Sequence, residues 1–157
     1  MPYKNKKVLF PGTFDPFTIG HASLVERVLK IFDHVVIAIG VNQSKKTLFS
    51  SQERLDMIQS FYRNNPHISV VTYDGLTALF AKEQQMDCII RGVRSDQDME
   101  YERPIAEINE QISGIETLFI FSLAQYQNIS SSVVRELMTY KQDVSPFLPK
   151  GMILPQK

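Results

Sequence analysis

The sequence holds one cysteine, no tryptophan and only three histidines in 157 residues. A single cysteine excludes an internal disulfide framework and a cysteine metal cluster, and it fits a reducing compartment, so a cytoplasmic location is expected. Cys88, in the apolar run Cys88-Ile89-Ile90, reads as core filler. An excess of one charge is also missing: seventeen Lys and Arg meet seventeen Asp and Glu. That balance leaves out the broad basic footprint of a nucleic-acid or anionic-membrane binder, while still admitting a local phosphate site. Long apolar runs are lacking too. The longest, Val35 to Ile39 resuming after Gly40, is far short of the roughly 20 residues that cross a bilayer. At the N-terminus the lysines of MPYKNKK precede only Val8-Leu9-Phe10 before Pro11-Gly12, too little for the apolar part of a secretory signal. With 43% hydrophobic and 22% charged residues, and neither repeat, low-complexity stretch nor linker, residues 1–157 are expected to fold as a single soluble domain.

What is present alternates. Lys7 to Phe10 reads as a strand stopped by Pro11-Gly12, and Ser23 to Phe32 as a helix carrying Leu24, Val25, Val28, Leu29 and Phe32 at helical spacing. Val35 to Gly40 is a second strand, β-branched and too continuous to have a solvated face. Ser50 and Glu53 form a capping-box pattern for a helix through Leu55, Ile58 and Phe61, ended by Asn64-Asn65-Pro66. Ile68 to Tyr73, Cys88 to Ile90 and Glu116 to Phe121 read as three more strands, with a helix at Leu76 to Gln84 between the first two. Asp96 to Ile112 is helical and polar; Pro104 limits it or marks a first turn, and Ile105, Ile108 and Ile112 form a stripe expected to be packed. Ser130 begins a helix through Val133, Leu137 and Met138. The tail from Asp143 carries three prolines and is expected to fold back in turns. The whole is expected to be α/β: a Rossmann-like, doubly wound sheet of five parallel strands with helices on both faces.

Such a sheet binds ligands beyond the carboxyl ends of its strands, and the unusual polar residues stand there. Thr13 and His21 follow strand one, Ser44-Lys45-Lys46 strand two, Asp74 to Thr77 strand three, Arg91 and Arg94 strand four, and Ser130 to Ser132 strand five. Cations, hydroxyls and helix-start amides together make an anion site with room for more than one phosphate. No pair of histidines with a carboxylate has metal-ligand spacing, so no fixed metal site is expected; magnesium would arrive on a nucleotide. The glycine loop, Gly12-Thr13-Phe14-Asp15-Pro16-Phe17-Thr18-Ile19-Gly20-His21, is neither a dinucleotide fingerprint nor a P-loop.

That segment, GTFDPFTIGH, resembles the first signature of the nucleotidylyltransferase superfamily, in the form with threonine at the first histidine position. Ile129 to Arg135, ISSSVVR, resembles the second signature. PGTFDPxTxGH, SKK, IRGxRxxxDxEYE and ISSS in this order resemble the bacterial branch that adenylylates 4'-phosphopantetheine in coenzyme A synthesis. The resemblance covers essentially the whole chain. It implies reversible, magnesium-dependent transfer of AMP from ATP, releasing diphosphate and dephospho-CoA. A phosphate monoester is nucleophilic enough to need no triad, only positioning and charge neutralisation.

By resemblance His21 and Lys45 are the catalytic residues, His21 stabilising the transition state at the α-phosphate and Lys45 holding charge at the reaction centre. Thr13 would contact the acceptor phosphate or the α-phosphate, and Phe14 contributes its amide. Arg91 would bind the acceptor phosphate, with Leu76, Thr77, Asn109 and Glu136 along the pantetheine arm. Gly92, Val93 and Arg94 would serve ATP, Arg94 at the β- or γ-phosphate and Glu102 near the adenosine. Tyr126, Gln127, Asn128 and Ile129 approach Ser130, Ser131 and Ser132, which would hold the β- and γ-phosphates. Gln127 and Asn128 replace the family's serine and phenylalanine, which alters the surroundings of the adenine. The resemblance further implies a homohexamer and leaves CoA open as a feedback ligand. Alternatives are adenylylation of nicotinate mononucleotide, transfer of CMP to glycerol phosphate, or nucleotide binding without turnover; Thr18 and the Arg91 to Glu102 segment speak against the first two, His21 and Lys45 against the third.

Overall fold

The computed structural model describes residues 5–157; the first lysine of the MPYKNKK segment, Lys4, lies outside them. The elements run β1 (Lys7–Gly12), α1 (Ile19–Val28), β2 (His34–Val41), α2 (Ser51–Tyr62), β3 (Ile68–Asp74), α3 (Thr77–Glu83), β4 (Cys88–Val93), α4 (Asp96–Ser113), β5 (Thr117–Phe121) and α5 (Ser131–Thr139). Short 3-10 turns occupy Ala124–Tyr126 and Ser145–Phe147. The five strands form one sheet in the order β3-β2-β1-β4-β5, and every pairing is parallel.

Period-two alternation in the strands builds the two faces. Val8, Phe10, Val35, Ile37, Ile39 and Ile90 pack with Ala22, Leu24, Val25 and Val28 of α1 and Ile58 of α2. Their neighbours Leu9, Val36, Ala38 and Ile89 pack on the opposite face with Phe80 and Ala81 of α3 and with Met86. Helices thus cover both faces, as the continuous apolar strands require. Cys88 is core filler, buried in the first cluster, where burial pushes its thiol up to about 11. Because β1 lies between β2 and β4, the chain winds outward in opposite directions from it. The crevice beyond the carboxyl ends of β1 and β4 is the topological switch point.

Several boundaries differ from the sequence expectation. α1 begins at Ile19, four residues before Ser23, because Thr18 caps it: its hydroxyl accepts from the amide of His21 and its own amide donates back to the His21 ring. Apolar periodicity cannot reveal a first turn that faces a polar cleft. β4 continues past Ile90 through Arg91 and Gly92 to Val93, held by pairing to β5 as far as Phe121. α4 runs unbroken through Pro104, from its Ser95 cap to Gly114, whose φ of 73° stops it. The Ile105, Ile108 and Ile112 stripe is not buried by the described residues; its members are 42%, 53% and 41% exposed. The Ser50 and Glu53 capping box forms with both reciprocal bonds, and Pro146 lies in the turn at Ser145–Phe147.

Candidate active site

β1 ends at Gly12, where a Cβ would stand 2.7 Å from the ring of Phe14. The lack of a side chain there lets the Phe14 ring fold back under the strand; Phe14 itself has a left-handed φ of 52°. This tight turn lifts Thr13 to the surface of the crevice. Asp15, almost fully buried, then accepts from the amides of Leu48 and Phe49 at 2.9 and 2.8 Å, which ties the first turn to the loop that carries Lys45. Arg135 donates to the Asp15 carbonyl at 2.8 Å and Ser131 to the Pro16 carbonyl at 2.8 Å, fixing the start of α5 to the same turn. The two signature segments are therefore one structural unit.

Three contiguous cavities open along this edge, and Thr13 lines all of them. The first, about 280 Å³, lies at the switch point between the N-termini of α1 and α5, with His21, Arg94 and Ser130 to Ser132 on its wall. The second lies toward α4, with Thr77, Tyr101, Glu102 and Asn109. The third holds Lys45. Arg91 stands on the wall shared by the first and second, and the Lys45 ammonium reaches across to the Thr13 hydroxyl at 3.1 Å. His21, Lys45, Arg91 and the serine segment do converge on one crevice edge, with Thr13 at its centre.

His21 is tilted or edge-on to the rings of Phe10, Phe14 and Phe17. Burial, and then the guanidinium charges of Arg91 and Arg94, push its pKa down to about 3. It is neutral at physiological pH. The Thr18 amide donates to Nδ1 at 2.9 Å, so Nδ1 is the acceptor nitrogen and the proton sits on Nε2. Gly92 lets α1 lie this close to β4, since a Cβ there would come within 2.7 Å of Leu24.

At α5 the three serines divide their work. Ser130 caps the amide of Val133, Ser131 donates to Pro16, and the Ser132 hydroxyl accepts from Arg135. What they leave for an anion in the cleft is the set of first-turn amides ahead of Val133.

The expected residues differ in how they face the crevice. Glu102, expected near the adenosine, is buried and lines the second cavity. It accepts a two-pronged ion pair from Nε and Nη2 of Arg91, because a carboxylate this buried needs a cationic partner. Arg91 also donates from Nη1 to the Pro11 carbonyl at 2.7 Å; two of its five N–H groups remain for a phosphate. The Val93 side chain is in the core, leaving only its backbone for a ligand. Leu76 and Glu136 are exposed and line none of the three cavities. Tyr126 and Ile129 line the first cavity, whereas Gln127 and Asn128 do not; Gln127 instead donates to the Arg94 carbonyl at 2.9 Å. Arg94 itself is held by Asp98 at 3.3 Å.

Three positions that shape the crevice carry no signal in composition. Asp15 and Arg135 sit inside motifs whose other members draw attention. Arg54, 3% exposed, lies in the first turn of α2, where a long charged side chain reads as solvated surface, yet it donates to the Thr13 carbonyl at 2.7 Å.

Comparison with known proteins bears on this arrangement. Residues 9–137 match the family model described as cytidylyltransferase-like. Proteins named phosphopantetheine adenylyltransferase are similar along nearly their full length: 48% identical in Bacteroides thetaiotaomicron, covering 94% of this chain and 97% of that one, and 47% in Porphyromonas gingivalis, covering 96% and 99%. That of Flavobacterium johnsoniae is 42% identical over 94% and 97%. The chain belongs to the phosphopantetheine adenylyltransferases. The broader cytidylyltransferase-like match agrees with the five-stranded parallel sheet and with both signature segments, which fall inside the matched range. Membership of the phosphopantetheine adenylyltransferases also accounts for the stretch beyond it, since the relatives extend across the tail as well.

Proposed function

We propose that this enzyme transfers AMP from ATP to 4'-phosphopantetheine, giving dephospho-CoA and diphosphate in coenzyme A biosynthesis. The observation that carries the reading is the position of Thr13, common to the switch-point cleft that holds His21 and Arg94, the cavity toward α4 and the Lys45 cavity. ATP occupies the first cavity, its β- and γ-phosphates on the α5 amides and Arg94. The acceptor lies along the second, its arm beside Thr77, Tyr101 and Asn109 and its phosphate between Arg91, Lys45 and Thr13. An acceptor oxygen attacks the α-phosphorus, the bond to the bridging oxygen of the β-phosphate breaks, and diphosphate leaves with that electron pair.

The protein's part is electrostatic. Neutral His21 donates from Nε2 to an α-phosphate oxygen as charge builds there, and Lys45 neutralises the incoming oxygens. No residue removes a proton, because the acceptor's phosphate already carries a nucleophilic oxygen. Magnesium chemistry fits this site as cargo of the nucleotide, shielding its phosphates: no carboxylate lines the first cavity, so the donors there suit phosphate oxygens rather than a resident cation. Supplying ATP with 4'-phosphopantetheine, nicotinate mononucleotide or glycerol phosphate and measuring diphosphate release tests the reading; release with either of the last two in preference to the first overturns it.

The assembly that goes with this reading is a homohexamer. Its support is the apolar surface left uncovered: Ile105, Ile108 and Ile112 on α4, and Leu118 and Phe121 on the edge strand β5, are all more than 40% exposed. CoA, which contains both the adenylyl and the pantetheine moieties of the product, is a feedback ligand for the same cavities. The working compartment is the cytoplasm; no helix of the described residues is long and apolar enough to cross a membrane.

A further inference from the structure

The third cavity has more cationic equipment than the reaction uses. Beside Lys45 it is lined by Thr47, Ser51 and Arg54, and no carboxylate faces it. Arg54 is 3% exposed. Its Nε donates to the carbonyls of Phe49 and Ser50 at 3.1 and 3.3 Å, and Nη1 to Thr13 at 2.7 Å with Gly40 at 3.5 Å. Nη2 has no protein partner among the described residues. Nη2 is not a fully buried atom, so it is a donor open to the cavity that Arg54 lines, and Asp15 does not pair with it: its two oxygens turn to the amides of Leu48 and Phe49. The N-terminus of the 12-residue helix α2 opens on the same cavity at Ser51. The capping box consumes the amides of Ser50 and Glu53 and leaves those of Ser51 and Gln52 open.

We propose that this cavity is a second oxyanion subsite, separate from the nucleotide cleft, which takes a tetrahedral phosphate group on Arg54 Nη2, the Lys45 ammonium and the open α2 amides. It extends the reading of function given above, placing a phosphate station next to Thr13 on the side away from ATP. Two sources share that chemistry: the acceptor's own phosphate before it moves to Arg91, and free inorganic phosphate.

The test is calorimetric titration of inorganic phosphate into the full chain saturated with ATP, which fills the first cavity. One phosphate per chain is expected. Ser51→Asp puts a carboxylate at the first position of α2, where an acid suits the helix, and should weaken phosphate by about tenfold or more. Arg54→Gln should do the same and Arg54→Lys, which keeps the charge, should restore part of the affinity. Absence of phosphate binding in the wild type, or an unchanged affinity in Ser51→Asp, overturns the proposal even where Arg54→Gln fails to fold. Repeating the titration with 4'-phosphopantetheine in place of ATP separates the sources: competition assigns the subsite to the acceptor, simultaneous binding to free phosphate. The readout needs no turnover, so failure of adenylyl transfer would overturn the function and leave this measurement standing.

Discussion

The backbone amide of Thr18 donates to Nδ1 of His21 at 2.9 Å, while the amide of His21 reaches back to the Thr18 hydroxyl. A helix capping box, ordinarily a device of stability, here selects a tautomer. A neutral imidazole whose Nδ1 is occupied as an acceptor can only donate through Nε2. The Phe10, Phe14 and Phe17 rings pack around the imidazole, while it still lines the first cavity.

The first prediction follows directly. Replacing His21 with alanine should lower kcat by roughly 100-fold or more, the scale of one lost oxyanion donor, while ATP binds nearly as before. Steady-state kinetics and equilibrium ATP titration on the variant check it. An unchanged kcat with badly weakened ATP binding would make His21 a ground-state ligand and move the catalytic weight to Lys45.

The second concerns Arg91, within β4, and Arg94, just beyond its end. Arg91→Ala should weaken 4'-phosphopantetheine far more than ATP, and Arg94→Ala the reverse, because Arg94 lines only the first cavity. Glu102→Gln should resemble Arg91→Ala: with its carboxylate partner gone, the guanidinium loses the two-pronged hold that aims it. A raised KM for the acceptor with ATP affinity intact is the expected split. Loss of ATP affinity in Glu102→Gln would return that residue to the adenosine.

The position of Glu102 shows how far sequence reaches here. Strand and helix order, the Ser50 and Glu53 cap and the gathering of Thr13, Lys45, Arg91 and Ser130 at strand ends are legible because they depend on periodicity and topology, which the chain states locally. Which of two neighbouring ligands a side chain serves is not local. Glu102 is the seventh residue of α4, nearly two turns in, and only the lateral position of α4 against β4 decides that it meets Arg91. Arg54 was missed for a similar reason: it occupies a helix position that looks solvated until the β1 turn is laid over it. The α4 stripe was misread in the opposite sense, since helical spacing identifies an apolar face without naming what covers it.

A third prediction tests the link between the signature turn and the lysine loop. Asp15→Asn keeps the shape but leaves one carbonyl oxygen to serve two amides, those of Leu48 and Phe49. Losing one hydrogen bond to a buried charged group should cost about 1.5–3 kcal/mol, readable as a lowered urea midpoint. Because the same amides anchor the segment that carries Lys45, kcat should fall under conditions where the variant remains folded. Full activity in a destabilised Asp15→Asn would show that the loop holds Lys45 without this anchor.

The last prediction takes the low pKa of His21 into stability. In the unfolded chain a histidine titrates near 6.5, whereas in the folded protein burial, followed by the Arg91 and Arg94 charges, holds this one down to about 3. Above pH 6.5 both states leave it neutral and it contributes no pH dependence. As pH falls through 6.5 the unfolded chain takes up a proton that the folded protein refuses, so stability declines, and it continues to decline until the folded group protonates near 3. His34, also lowered chiefly by burial, adds a decline of the same sign, so the contribution of His21 must be read as a difference. Denaturant unfolding of wild type and His21→Gln at intervals from pH 7 to 4 should give a shallower decline for the variant, with the two curves approaching as the pH drops. The side chain's own NMR signal supplies the control: its ring protons should not titrate between pH 8 and 5 in the folded protein. Parallel curves, or a ring that titrates near 6.5, would mean that His21 can carry a proton at working pH, and the case for a neutral Nε2 donor would fall with it.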